Sequence, residues 1–405
     1  MKVLYFHQHF VHPSGSGGIR SYSMAKKLID SGYEVTMVCG SHNNSRTGLD
    51  SNFINGKRTG YVDGIKVIEF QLEYSNNHGF LKRSITFIKF ALRSIFVVFN
   101  EKYDLIFATS TPLTAGIPGI VGKKFLQKKF VFEVRDLWPE LPVKMGVIKN
   151  PLIIFLLGIL ESISYKSADQ LIALSPGIKD GIEKKGISSK KIDLIPNGCD
   201  IKIFNKTSDP WLPSSISNDD FVCIFAGAHG IANGLNSVLE VCDILKKRNR
   251  EDIKFLLVGD GKLKQYLIEE SLNRNLKNIV FHEPVSKVEL ANLMKSCNLG
   301  LQLLSNIPVF YYGTSPNKFF DYISAGLPVL NNYPGWIAEI IDENNCGYVV
   351  EPDNFTEFAN TIEHAADNLN EIKTKSVNAF NIAQNNFDRD DLASQWVKII
   401  EKTYK

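Results

Sequence analysis

The chain has 405 residues and a formal net charge of +3, with 44% hydrophobic and 22% charged residues. That composition is typical of a globular protein, and the length predicts two domains of roughly 200 residues each. The small positive charge excludes a strongly basic nucleic-acid binder. It is compatible with an anionic ligand or an anionic membrane surface.

Cysteine usage and the apolar runs indicate the compartment. None of the six cysteines belongs to a C-x-x-C pair, so we expect reduced core residues of a cytoplasmic protein. The N-terminal apolar run, Val3–Phe6, is too short for a signal peptide, and the longest uncharged apolar run, Pro151–Leu160, is about half of a membrane span. We therefore predict a soluble or peripheral membrane protein.

Short apolar strands alternate with helical patterns through the first half of the chain. The predicted strands are Val3–Phe6, Glu34–Cys39, Asp104–Ala108, Phe130–Val134, Gln170–Ala173 and Lys191–Ile195. The predicted helices are Ile19–Ile29, Leu113–Leu126, Leu152–Lys166 and Gly177–Lys185. This alternation predicts a parallel sheet that helices cover on both faces.

The segment Asp200–Asp220 interrupts the alternation with Pro, Ser, Asn and Asp residues, and we place a linker there. A second alternating series follows, with strands predicted at Phe221–Ala226, Lys254–Val258, Ile279–His282, Leu299–Leu304, Pro328–Asn331 and Gly347–Val350. We predict an α/β protein with two doubly wound, Rossmann-like domains, residues 1–205 and 206–385, which bind ligands in a cleft at the carboxyl ends of their strands. Residues 386–405 are expected to form a C-terminal helix that packs back on the first domain.

A glycine-rich loop with Gly17 and Gly18 precedes the first predicted helix, which begins near Arg20. Glycines before a helix allow backbone N–H groups to approach a phosphate, although a flexible connecting loop is an equally good interpretation. The third glycine of the dinucleotide fingerprint is missing, and the second strand ends at Cys39 without an acidic residue for a ribose. NAD binding is therefore disfavoured.

Charged residues follow the fourth predicted strand in the segment Glu133–Glu140, which we expect at the rim of the cleft. Arg135 and Asp136 are the candidates for a place beside the reacting carbon, and Asp136 could orient the acceptor or accept its proton. The alternative is an Arg–Asp pair that fixes the loop.

Two glycine-rich turns follow the first two strands of the second half and could hold a diphosphate. Their candidate residues are Gly227, His229, Gly230, Asn233, Gly259, Gly261 and Lys262. We predict a helix that starts at Gly261, so Lys262 would lie at a helix N-terminus, where an anion is favoured. A solvated lysine is the alternative.

The segment Ser315–Asp321 combines helix-start residues with an apolar helix and two charges. Asn317 and Lys318 lie in the first turn, where backbone N–H groups are available, and Asp321 lies one turn later on the same face as Lys318. A diphosphate at the helix end and a carboxylate on a ribose diol would explain this layout. An ordinary capped helix with a solvated Lys–Asp pair is the alternative.

The segment Phe80–Arg93 is both basic and apolar. Lys82, Lys89 and Arg93 share one helical stripe, with Arg83 beside it. The pattern is typical of an interfacial helix on anionic lipid, although a core helix with a solvated basic face fits it equally well.

Taken in order, these motifs resemble glycosyltransferase family 4, a retaining family with the two-domain GT-B fold. The resemblance rests on the Gly17-Gly18 loop, the turn Ile195–Asp200, the turn Val258–Gly261 and the segment Asp321–Val329, which together cover nearly the whole chain. The block Arg135–Glu140, with Ser315–Asp321, is similar to the bacterial O-antigen and capsule N-acetyl-L-fucosamine transferases.

Three departures from the family pattern concern charge. The first acid of the family's E-x7-E pair falls at Gly313, and its usual Arg and Lys fall at Ala228 and Asn233. We therefore expect Lys262, Lys318 and Arg20 to meet the diphosphate charge. The family's frequent histidine falls near Arg135 or Asp136, so no histidine role is carried over.

The resemblance implies metal-independent transfer, with retention, of a sugar from a UDP-sugar, with no cofactor. The sugar would be an N-acetylated deoxyhexosamine such as N-acetyl-L-fucosamine, and the acceptor a polyprenyl-diphosphate-linked saccharide at the inner face of the cytoplasmic membrane. Lys318 would act in catalysis and Asp321 would hold the ribose. Two alternatives remain open: a UDP-sugar 2-epimerase of the same architecture and a non-catalytic nucleotide-sugar binder.

Overall fold

The computed structural model describes residues 1–15, 17–41, 46–72, 74–75, 78–206 and 209–405, and within them the chain forms two compact units. The first unit consists of Met1–Asn197, Gly313–Ser315 and Asp390–Lys405, and the second of Gly198–Tyr312 and Pro316–Arg389. The chain passes from the first unit to the second at residues 197–198 and returns to the first at residues 389–390. The sequence analysis places these boundaries at 205–206 and 385–386. Residues 207–208 of the predicted linker lie outside the described residues.

The first unit is an eight-stranded sheet with helices on both faces. Its strands are β1 Lys2–Phe6, β2 Glu34–Gly40, β3 Lys57–Val62, β4 Ile65–Phe70, β5 Leu105–Thr109, β6 Lys129–Val134, β7 Gln170–Ala173 and β8 Ile192–Leu194. Its helices are α1 Arg20–Asp30, α2 Phe80–Asn100, α3 Ile117–Leu126, α4 Glu140–Lys144, α5 Pro151–Ser167 and α6 Pro176–Glu183. The strand order is β3-β4-β2-β1-β5-β6-β7-β8.

One edge of this sheet corrects the prediction of purely parallel strands. Strand β3 pairs antiparallel with β4, with Val62 opposite Ile65, and the other paired strands run parallel. The connecting turn contains Asp63 and Gly64, whose φ angles are 48° and 86°. An Asp-Gly pair with positive φ at both residues suits a two-residue hairpin, because its twist matches that of the strands.

The second unit is a six-stranded parallel sheet in the order β11-β10-β9-β12-β13-β14. Its strands are β9 Phe221–Ala226, β10 Ile253–Val258, β11 Ile279–His282, β12 Leu299–Gln302, β13 Val329–Asn331 and β14 Gly347–Val349. Its helices are α7 Ile201–Asn205, α8 Asn236–Lys247, α9 Lys264–Asn273, α10 Lys287–Met294, α11 Val309–Gly313, α12 Asn317–Ser324, α13 Trp336–Glu343, α14 Phe355–Asp367 and α15 Leu369–Asn386. All six strands lie within two residues of their predicted bounds.

The last helix, α16 Arg389–Tyr404, packs into the core of the first unit. The Trp396 side chain is fully buried, 4.8 Å from the Phe107 ring and 6.1 Å from the Tyr5 ring, measured between ring centroids. Strands β1 and β5 supply those two aromatic rings, so the C-terminal helix covers the centre of the sheet.

Candidate functional site

The two glycine-rich loops of the second unit leave the same edge of its sheet. Strands β9 and β10 are parallel neighbours, with Ala226 opposite Val258, so the loops that follow them lie side by side. The Gly227 N–H donates to the Val258 carbonyl at 2.9 Å. A Cβ atom at Gly259 would lie 1.9 Å from the Gly227 carbonyl oxygen, so only glycine fits there.

Lys318 supplies the cation of this site. Its Nζ donates to Asn233 Oδ1 at 2.6 Å and lies 4.8 Å from the centroid of the Phe225 ring. Its Cε lies 3.4 Å from where a Cβ of Gly227 would be. Asn233 occupies the position where the family usually has a lysine, and a lysine from the later helix α12 brings its ammonium group to that residue.

The environment of Lys318 favours an anionic ligand. Burial lowers the pKa of the Lys318 ammonium group to about 7. Helix α12 has no side-chain hydrogen bond at its N-cap, Pro316, so the N–H groups of Asn317 and Lys318 lie at an uncapped N-terminus. A phosphate near these N–H groups and the ammonium group would gain hydrogen bonds and charge pairing.

His229 joins the two glycine-rich loops. Its N–H donates to the Asp260 carbonyl, and its own carbonyl accepts from the Leu263 N–H, each at 2.9 Å. The ring is fully buried, and its two nitrogens lack a hydrogen-bond partner within the described residues. Burial, with a smaller contribution from Lys264, lowers the pKa of His229 to about 4, so the imidazole is neutral. Gly230 follows, with nothing within 4 Å of a Cβ built on it.

The structure revises the assignment of Asp321. Its carboxylate is buried and ion-paired with Lys287 Nζ, which also lies 3.2 Å from Asp200 Oδ2. Arg389 Nε contacts Asp200 Oδ1 at 2.5 Å and completes a buried cluster of two acids and two bases. Lys318 and Asp321 therefore point to different partners, and Asp321 is held in an internal cluster rather than presented to a ribose.

Lys262 is also revised. Helix α9 starts at Lys264 and not at Gly261, so Lys262 precedes the helix and is exposed. Gly261 instead packs against the neighbouring loop, because a Cβ there would lie 2.7 Å from the His229 carbonyl oxygen.

Arg20 belongs to the interior of the first unit. Its guanidinium is fully buried and contacts Glu133 Oε2 at 2.8 Å, and it donates to the carbonyls of Ile195 and Pro196. Glu133 is equally buried, which corrects its predicted place at a cleft rim. We therefore remove Arg20 from the diphosphate contacts; Gly17 and Gly18 precede it in a loop whose Gly17 is exposed.

Polar residues from three strands meet at the carboxyl edge of the first sheet. Thr111, after β5, donates to Asp136 Oδ2 at 2.9 Å, and burial raises the pKa of the Asp136 carboxyl. The Arg135 N–H donates to Ser110 Oγ at 2.8 Å, and its guanidinium lies 3.4 Å from His7 Nε2, after β1. Asp136 is therefore a buried carboxyl whose orientation is set by the hydrogen bond from Thr111.

His7 and Thr111 were missed by the sequence analysis. His7 directly follows β1 and Thr111 lies two residues after β5, and the carboxyl ends of neighbouring parallel strands meet at one edge of a sheet. That rule, applied to every strand end, would have found both. Lys287 carries no such signal, because only the fold brings it to Asp321.

Helix α2 carries an exposed apolar stripe with basic residues beside it. The stripe recurs every three or four residues, at Leu81, Ile85, Ile88, Leu92, Phe96 and Phe99. Lys82 and Lys89 are exposed and Arg83 is partly buried, whereas Arg93 donates to the Gly56 carbonyl at 3.0 Å and is anchored to the β3–β4 side of the unit. Among the described helices, none is long and apolar enough to cross a membrane.

Comparison with known proteins matches a glycosyltransferase domain to each half of the chain. The family model "Glycosyltransferase Family 4" matches residues 17–203, and "Glycosyl transferases group 1" matches residues 212–379. An uncharacterised glycosyltransferase of Methanocaldococcus jannaschii is 22% identical over 315 residues, which cover 76% of this chain and 78% of the relative.

Solved structures of low sequence identity share the fold. Sucrose-phosphate synthase from Thermosynechococcus elongatus has a TM-score of 0.76 at 16% identity, covering 100% of this chain and 99% of its own. HepE of Anabaena, solved with UDP-glucose, has a TM-score of 0.69 at 18% identity, covering 99% and 100%. WaaG, a glycosyltransferase involved in lipopolysaccharide biosynthesis, has a TM-score of 0.68 at 16% identity, covering 98% and 99%.

The two matches follow one another along the chain, and each falls almost wholly on one of the two units. The protein is a glycosyltransferase with a GT-B fold, and its two halves match the family 4 and group 1 glycosyltransferase models.

Proposed function

We propose that this glycosyltransferase moves an N-acetylated deoxyhexosamine, such as N-acetyl-L-fucosamine, from a UDP-sugar to a polyprenyl-diphosphate-linked saccharide. The reaction would serve O-antigen or capsule synthesis at the inner face of the cytoplasmic membrane. The observation that carries the proposal is Lys318, whose ammonium group lies at Asn233 beside Gly227. Such a site suits the diphosphate of a nucleotide sugar.

The diphosphate is the part of the donor that this site would bind. Lys318 Nζ and the N–H groups of Asn317 and Lys318 would contact the phosphate oxygens, and the backbone at Gly227 would approach them closely. An oxygen or N–H of the donor that reached the His229 ring would give its nitrogens a partner. The solved complex of HepE with UDP-glucose supports UDP as the nucleotide.

The proposed reaction breaks the bond between the anomeric carbon and the β-phosphate oxygen. The electron pair stays on UDP, where Lys318 and the helix N-terminus stabilise the developing charge, so no metal is required. The acceptor hydroxyl oxygen forms the new bond on the same face, which gives retention. Its proton passes to Asp136, whose raised pKa suits a proton acceptor, while Arg135 lies beside it.

Helix α2 supports a lipid-linked acceptor. Its apolar stripe would enter the interface between head groups and acyl chains, while Lys82, Arg83 and Lys89 contact anionic head groups. A lipid-linked sugar at that surface would then be presented to the first unit. The role of WaaG in lipopolysaccharide biosynthesis supports this class of product.

A donor screen tests the proposal. The thermal midpoint of the purified protein is measured with UDP, GDP and several UDP-N-acetyl sugars, and Lys318→Met is the matched control. We expect UDP and its N-acetyl sugars to raise the midpoint of the wild type and to leave that of the variant unchanged. A midpoint that rises with GDP alone, or equally in both proteins, would contradict the donor site.

A further inference from the structure

Helix α5 exposes an apolar surface that neither the donor site nor the proton acceptor explains. Its first half presents Leu152, Ile153, Phe155, Leu156 and Ile159 to solvent, and Leu152 and Phe155 are each 64% exposed. Asn150 caps this end, accepting hydrogen bonds from the N–H groups of Leu152 and Ile153. The apolar residues therefore project from an ordered helix end.

Helices α2, α3 and α5 lie side by side on one face of the first sheet. Helix α3 packs against both α2 and α5, and all three contribute to one core cluster, which includes Phe90 of α2 and Tyr165 of α5. Their outer surfaces therefore turn away from the same face of the sheet. Thirteen of the 25 exposed large apolar side chains in the described part of the chain lie on these three helices. A cluster of that size marks an interaction site.

The charges on these helices have one sign at the surface. The seven basic residues are Lys82, Arg83, Lys89, Arg93, Lys123, Lys124 and Lys166. The one acid, Glu161, is 1% exposed and contacts Lys185 Nζ at 2.7 Å. A second copy of this chain would bring like charges together, whereas an anionic bilayer offers acyl chains for the apolar side chains and head groups for the cations.

We propose that α5, together with α2 and α3, forms a platform that seats the first unit on an anionic bilayer, with Leu152, Phe155 and Leu156 inserted among the lipids. Helix α5 is then a second point of insertion beside α2. Two inserted helices fix the orientation of a surface-bound unit, whereas a single helix leaves it free to rotate about the helix axis. The inference rests on the proposed function, because it concerns how the enzyme approaches a lipid-linked acceptor.

Vesicle co-sedimentation of the full chain tests the platform, using phosphatidylcholine vesicles with and without phosphatidylglycerol. The test variant is Phe155→Glu with Leu156→Glu. The matched control is Leu272→Glu with Val377→Glu, which adds the same charge at helix positions of the second unit that are 73% and 60% exposed. A third variant, Ile88→Glu with Leu92→Glu, reports on α2.

We expect the α5 variant to bind anionic vesicles about tenfold or more weakly than the wild type, because it loses two exposed apolar side chains that would insert among the lipids and gains two negative charges. The control should bind like the wild type. Unchanged binding of the α5 variant, alongside weak binding of the α2 variant, would overturn the platform and leave α2 alone as the membrane contact. The wild type could instead form a dimer that the α5 substitutions disrupt, while vesicle binding stays unchanged. That result would overturn the platform and show that α5 contacts a second copy of the chain.

UDP binding is measured on the same preparations and separates this inference from the proposed function. The α5 variant should retain wild-type UDP affinity and an unchanged circular dichroism spectrum. Absence of UDP binding in the wild type would remove the proposed function, whatever the vesicles show.

Discussion

At the scale of single residues, the proposed donor site depends on the positions of one asparagine and one lysine. A lysine is absent at Asn233 and present at Lys318, and the structure joins the two side chains at 2.6 Å. The sequence places Lys318 in the first turn of a helix, which the structure confirms, and its role as a phosphate ligand stays a prediction. It could not predict that Asp321, one turn later, is held by Lys287, since that contact depends on the packing of α10 near α12.

Replacement of Lys318 tests the cation directly. We expect Lys318→Ala to lose about 2–4 kcal/mol of transition-state stabilisation, which corresponds to a decrease in kcat/KM of roughly 30- to 1000-fold. Steady-state rates with the UDP-sugar donor provide the measurement. Lys262→Ala, an exposed lysine that precedes α9, is the control and should retain nearly full activity. Equal losses in the two variants would mean that general surface charge, and not Lys318, binds the donor.

The pH dependence of UDP binding follows from the same residue. Burial sets the pKa of Lys318 near 7 in the free protein, and a bound diphosphate would raise it. Binding above pH 7 should therefore take up a proton, and the affinity for UDP should decrease as the pH rises from about 7 towards the pKa of the complex. Calorimetry at pH 8 in two buffers of different ionisation enthalpy measures the number of protons that the protein takes up when UDP binds. Lys318→Arg, which stays protonated, should show no uptake; uptake in that variant would assign the proton to another group.

At the scale of secondary structure, alternating apolar strands were predicted well and the edge hairpin was missed. Strands β9 and β11 have the predicted bounds, because continuous apolar runs in a buried parallel sheet are easy to recognise. Strand β3 escaped because Lys57–Val62 is largely polar and its pairing with β4 makes it a strand. Strand β4, Ile65–Phe70, carries an apolar pattern that the sequence analysis did not use. An Asp-Gly pair at positions 63–64 was the available hairpin signal.

The contact between the two glycine-rich loops can be tested with one added methyl group. A Cβ at Gly259 would clash with the Gly227 carbonyl oxygen, so Gly259→Ala should displace the loop, destabilise the protein by about 2 kcal/mol or more, and weaken UDP binding. Gly230→Ala is the control, because nothing lies within 4 Å of a Cβ there. Urea unfolding and UDP calorimetry are the measurements, and equal stability of the two variants would argue against the close contact.

At the scale of the whole molecule, the C-terminal helix and the first unit form one folding unit. Helix α16 buries Trp396 against β1 and β5, although both strands lie in the first 110 residues of the chain and the helix begins at Arg389. The sequence indicated a final helix without a following strand, but which core it entered depends on tertiary packing. The first unit therefore reaches its full stability only when α16 is packed into its core.

Truncation of Trp396 should therefore destabilise the first unit. We expect Trp396→Ala to lower the free energy of unfolding by about 3–5 kcal/mol, since it empties a fully buried site between two aromatic rings. Urea unfolding followed by tryptophan fluorescence provides the measurement. Tyr404→Ala, at a position 45% exposed near the end of the same helix, should cost less than about 1 kcal/mol. A similar small loss for Trp396→Ala would show that α16 is not part of this core.

Transfer itself is the most direct test of the account. The protein is incubated with a UDP-linked N-acetylated deoxyhexosamine and a polyprenyl-diphosphate-linked saccharide, with the metal chelator EDTA present, and the products are examined by mass spectrometry and NMR. We predict that the acceptor gains one sugar with the anomeric configuration of the donor, and that Lys318→Ala forms little product. Conversion of the UDP-sugar to an isomer without an acceptor, or transfer with inverted configuration, would contradict the account.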